Sequence, residues 1–166
     1  AGLEGLTALL CDEPRIKASK VGEARFTVEI PADVAPGLYN LQALGANGLS
    51  SPRGFFVSPR TTVRESGPKG TERAAQPVEL DVSLCGRIDA PGEVDAYLFD
   101  ARSGQRVVIE CWVERLDSKL RAVLELEDER GHRLASSRGF AGLDPVIDFL
   151  APADGRYVVR LFDLTY

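Results

Sequence analysis

The stretch Asp95-Ala96-Tyr97-Leu98-Phe99-Asp100-Ala101-Arg102-Ser103-Gly104-Gln105-Arg106-Val107-Val108-Ile109-Glu110 decides the fold class. Tyr97 and Phe99 fall on one side of an alternating run, as in a strand whose side chains point to opposite faces. Ser103-Gly104 then supplies a tight turn. A second run follows from Gln105 to Glu114, with Val107, Ile109, Cys111 and Val113 on one side and Val108, Glu110, Trp112 and Glu114 on the other. Short strands parted by glycine turns at this cadence mean an antiparallel sandwich, not a βαβ fold.

The same pattern extends in both directions. Val123 to Asp128 alternates, with Leu124 and Leu126 facing in and Glu125 and Glu127 facing out, and Tyr157 to Leu161 repeats the device. Asp128 to Leu134 reads as a hairpin turning on Arg130-Gly131. Upstream, Arg25 to Ile30, Leu38 to Leu44 and Phe55 to Val57 are further strands, and helical spacing shows only weakly, around Asp117 to Val123. The fold class expected is therefore all-β, with two antiparallel β-sandwich pieces. Residues 58 to 77 hold almost nothing to bury and read as a linker or a surface strap. The division expected is a first sandwich piece over residues 1–58, a linker over 59–76 and a second sandwich over 77–166. A small echo joins the halves: Ala35-Pro36-Gly37-Leu38-Tyr39 and Ala153-Asp154-Gly155-Arg156-Tyr157 each place a tyrosine just after a glycine corner. Both Tyr39 and Tyr157 are expected to bond their hydroxyls back to the corner backbone.

Composition narrows the function. The chain has 166 residues, 44% of them hydrophobic, and a net charge of −5. It offers no basic footprint for nucleic acid and no apolar run long enough to span a membrane. Methionine is absent, so the sequence reads as an excerpt of a longer polypeptide whose neighbouring domains are natural partners. Cys11, Cys85 and Cys111 are widely spaced and sit in apolar surroundings, where buried free thiols are the usual outcome.

Catalytic chemistry is thinly supplied. His132 is the only histidine and falls in a hairpin turn, and no nucleophile elbow, zinc-protease or phosphate-loop motif is present. Glu125 and Glu127 share the solvent face of one strand, as soluble strands require, so no catalytic residue is expected. Calcium is the stronger ionic candidate, because a hard cation takes loop carboxylates and carbonyls. Glu93, Asp95 and, from across the fold, Asp144 are its expected ligands, although solvated loop acids are the commoner use of such residues. Trp112 either packs inside or offers an aromatic platform to a sugar or peptide.

From Glu93 to Glu110 the chain resembles the bacterial pre-peptidase C-terminal domain, with its acidic strand, short glycine turn and long second strand. The order of Leu116 to Leu120, Val123 to Asp128, Gly131 to Ala135 and Ala151 to Arg160 agrees, so the resemblance covers residues 76 to 166. It implies a jelly-roll-like sandwich appended to secreted bacterial proteins, without catalysis of its own and with its last strand beyond Tyr166. In calcium-binding relatives an acidic linker supplies ligands; here the equivalent stretch keeps only Glu65. The first half is similar to the end of an immunoglobulin-like module, a pairing like that of large exported planctomycete-type proteins. The function expected is an extracytoplasmic accessory region for adhesion, spacing or presentation of a neighbouring domain. The alternative is a carbohydrate- or protein-binding module at a sheet face near Trp112, with an extracellular protein or polysaccharide as partner.

Overall fold

In the computed structural model, residues 5–66, 75–139 and 144–165 are described. The chain divides into two units, Ala1–Pro59 and Arg60–Tyr166. Among the described residues there is no α-helix, and the class is all-β with mainly antiparallel sheets.

The first unit holds β1 (Ala8–Cys11), β2 (Lys17–Lys20), β3 (Phe26–Glu29), β4 (Gly37–Gly45), β5 (Gly48–Leu49) and β6 (Arg53–Val57). β4 is the organising strand and pairs antiparallel with β1, β5 and β6, while β2 and β3 form a separate hairpin. Leu6, Ile16 and Val34 are its buried apolar side chains. At the start of β4 the Tyr39 hydroxyl donates to the Ala35 carbonyl at 2.7 Å, which ties the corner to the strand it launches.

The second unit continues with β7 (Thr62–Arg64), β8 (Gln76–Pro77), β9 (Ser83–Cys85), β10 (Val94–Ala101), β11 (Arg106–Glu110), β12 (Ala122–Asp128), β13 (Arg133–Arg138), β14 (Val146–Leu150) and β15 (Gly155–Asp163). Five strands form one layer in the order β13-β12-β15-β10-β8, with β11 and β14 paired as a second. Alternation decides what lies between them. Tyr97 and Phe99 of β10, Leu124 and Leu126 of β12, and Tyr157 and Val159 of β15 share one buried cluster with Val107, Ile147 and Phe149 of the other layer. Phe149 meets Tyr157 edge-on at 5.1 Å, and Phe99 stacks on Tyr157 at 6.0 Å. The Tyr157 hydroxyl donates to Ala153 O at 2.7 Å, so the corner expected in both halves forms in both.

Two details depart from the sequence reading. The run expected as a strand to Glu114 leaves the ladder after Glu110, and Glu114–Leu116 forms a single 3-10 turn that ends at Asp117 with φ 56°. The cause is a competing acceptor, the Asp144 carboxylate, which takes the N–H groups of Val113 and Glu114. The segment expected as a linker is partly strand. β7 pairs in parallel with β9, and β8 with β10, because a ladder satisfies backbone polar groups without needing large apolar side chains. Between them, 67–74 lie outside the described residues.

Candidate metal centre

Glu93 and Asp95 continue, toward the start of β10, the row of side chains that includes Tyr97 and Phe99. Both are consequently buried, at 3% and 1% exposure, and not displayed on a loop. Glu93 Oε2 accepts the N–H groups of Asp89 and Ala90 at 2.7 and 3.0 Å, which fixes the loop entering the strand. Glu65 arrives from the strap one residue after β7, where its own N–H donates to Cys85 O. Its Oε2 accepts Arg87 N–H at 2.9 Å. Together Glu65, Glu93 and Asp95 place three carboxylates with oxygens within 4.8 Å of one another, the one such group among the described residues.

Gly86 makes this approach feasible. A Cβ there would lie 2.7 Å from Glu65 Oε2 and 3.1 Å from the Tyr97 hydroxyl, so any side chain would push the strap's carboxylate away. Oxygen donors from three carboxylates are what a hard cation takes.

Asp144, the third ligand expected from sequence, does not belong to this group. Its Oδ1 accepts Val113 N–H at 3.0 Å and Glu114 N–H at 2.7 Å, while Oδ2 takes Arg115 Nε at 2.7 Å. Burial works against its charge, but the bonds from Val113, Arg115 and Glu114 outweigh that and hold its carboxyl below the ordinary value. Glu65 was visible in the sequence as the lone acid opening the strap. Its partnership with β10 was not, because it depends on parallel pairing between β7 and β9.

Trp112 lies beyond the end of β11, not on a sheet face. Its Nε1–H donates to Glu110 Oε2 at 3.0 Å, and the Arg115 guanidinium sits 4.2 Å over its ring. Arg115 thus spans an indole and the Asp144 carboxylate, and the half-buried ring belongs to the fastening of the 3-10 turn.

His132, Glu125 and Glu127 have structural partners. Asp128 Oδ1 accepts the N–H groups of Arg130 and His132 in the β12–β13 turn, and the exposed His132 ring lies 3.1 Å from Asp128 Oδ2. Glu125 pairs with Arg133 at 2.8 Å and Glu127 with Arg160 at 2.9 Å across strands.

All three cysteines are free thiols, and Cys85 is exposed where the sequence suggested burial. Cys111 is pushed up to about 12 by burial and then by the nearby Asp144 charge. Because the thiolate is the nucleophile, Cys111 should alkylate at least ~100-fold more slowly than Cys85 at neutral pH. Timed iodoacetamide labelling with peptide mass mapping reads this directly, and equal rates would refute it.

The fold and the carboxylate group define an all-β chain with a two-layered second unit and an acid-lined junction under its strap. No protein-family model matches the chain, and no curated protein does.

Proposed function

We propose that this chain is a non-catalytic accessory region of an exported bacterial protein, serving to space or present a neighbouring domain. The observation that carries the reading is where the acids go. Asp144 caps a turn, Glu125 and Glu127 pair with arginines, and Glu65, Glu93 and Asp95 gather where the strap meets β10. The one histidine sits exposed in a hairpin turn, 3.1 Å from Asp128 Oδ2, where a solvated turn residue is the ordinary use. The resemblance of residues 76 to 166 to pre-peptidase C-terminal domains supports export and the accessory role.

Calcium belongs to this reading as the charge that fastens the strap. A cation bound by the folded state alone raises its stability by mass action. Thermal unfolding of the full chain should therefore shift upward in calcium relative to chelator, and Glu65→Gln should remove the shift. Identical midpoints with and without calcium would remove calcium from the proposal and leave the charge compensation to the chain's own basic residues. Hydrolysis of ester, peptide or glycoside substrates by the purified chain, lost in Glu93→Gln, would overturn the accessory reading itself.

A further inference from the structure

The sequence has two asparagines, Asn40 and Asn47, and the structure sets them in opposite chemical situations. Asn40 lies within β4, paired to Gly54 of β6. Its backbone N–H and its side-chain amide donate to Asp12 Oδ1 and Oδ2 at 2.9 and 2.8 Å. The residue after it is Leu41, whose branched side chain crowds the amide nitrogen that follows Asn40. Asn47 is exposed at the tip of the β4–β5 turn and is followed by Gly48. Gly48 has φ +96° and nothing within 4 Å of the Cβ it lacks. Ala46 and Asn47 keep negative φ, so the loop is a turn closed by a left-handed glycine, where glycine is needed. β5 is only Gly48–Leu49, both residues exposed, so opening this end of the hairpin costs little.

We propose that Asn47 is a site of spontaneous covalent modification, converting through a succinimide to aspartate and isoaspartate, while Asn40 is spared. The Gly48 backbone nitrogen, having lost its proton to hydroxide, attacks Cγ of Asn47. The new N–Cγ bond closes a five-membered imide as the Cγ–Nδ2 bond breaks, and the side-chain nitrogen leaves as ammonia after taking up a proton. Water then opens either imide carbonyl: one product is aspartate, the other routes the main chain through the side-chain carboxyl. No oxidant or enzyme is required. Each product adds a negative charge. Isoaspartate also lengthens the backbone by one methylene at the turn, so the Leu44–Leu49 and Gly45–Gly48 pairings lose their register.

The test is incubation of the full folded chain over days at mildly acidic and mildly alkaline pH, followed by peptide mapping. The Asn47 peptide should gain the mass of an NH-to-O exchange, faster at the higher pH and with isoaspartate the larger product. The Asn40 peptide should stay unchanged, and Asn47→Gln should be silent. Retention of the Asn47 amide in the folded chain, while urea-unfolded chain converts, would show that the hairpin blocks the attack and would overturn the proposal. Equal conversion at Asn40 and Asn47 would overturn it equally, since the selectivity is what the structure supplies.

Discussion

Leu126→Ala should lower the unfolding free energy of the second unit by about 3 kcal/mol, from lost transfer energy plus the cavity left behind. Leu126 is 0% exposed and projects from the middle of β12, with Val159 and Ala135 as its partners on the neighbouring strands. The site has little freedom to collapse. Its cluster is held by the Phe99, Tyr157 and Phe149 rings, and the Tyr157 ring is pinned through its hydroxyl to Ala153. A cavity beside rings that cannot move stays open, which places the cost well above the transfer term alone. Leu126→Met, which conserves volume, should cost less than about 1.5 kcal/mol. Leu134→Ala, at 40% exposure on β13, should fall within about 0.5 kcal/mol of wild type. Trp112 is the only tryptophan and lies in the second unit, so its fluorescence in urea reports that unit alone. A midpoint shift at constant slope is the expected signature, and a Leu126→Ala midpoint equal to that of Leu134→Ala would contradict the two-layer core.

What could be read along the chain was whatever depends on neighbours in sequence. Alternation placed Tyr97 with Phe99, and Leu124 with Leu126, on the buried side, and the structure puts all four in one cluster. The paired glycine corners announced that Tyr39 and Tyr157 would bond back to the corner backbone, and both do, to a carbonyl four residues upstream. These are local consequences of strand period and turn geometry. The early end of the β11 strand and the pairing of the strap turn instead on partners distant in sequence. Nothing near Cys111 to Glu114 says that Asp144, thirty residues on, will withdraw two N–H groups from the ladder. Nothing in the polar composition of Thr62–Arg64 says that it will lie parallel to Ser83–Cys85. The candidate metal centre shows both kinds. Glu93 and Asp95 were chosen from their place ahead of a strand, whereas Glu65 joins them only because the strap is laid down as β7. Asp144 was grouped with them because an acid's type is visible in sequence and its donors are not.

Asp144→Ala should cost about 3 kcal/mol. Its side chain is fully buried, and its removal strands the Val113 N–H inside the protein as well as the Glu114 N–H. Each buried donor left unsatisfied costs about 1–3 kcal/mol. The loss of the Arg115 pair contributes less, because that side chain is 41% exposed and water screens it. Asp144→Asn keeps an oxygen acceptor for the two N–H groups and should lose about 1 kcal/mol, the difference between a charged and a neutral acceptor. Acid separates the two contributions. The Asp144 carboxyl is held below its ordinary value in the folded chain, so the unfolded state binds the proton first as pH falls. Its charge-dependent stabilisation is then complete above the unfolded value of about 4 and lost as pH drops through the lower folded value. Wild type and Asp144→Asn should therefore differ most near neutral pH and converge in acid, whereas Asp144→Ala should stay below both, since stranded N–H groups do not titrate. A wild-type advantage over Asp144→Asn that persisted undiminished at low pH would mean that the turn is held by packing around Trp112 and Arg115, not by the carboxylate's charge.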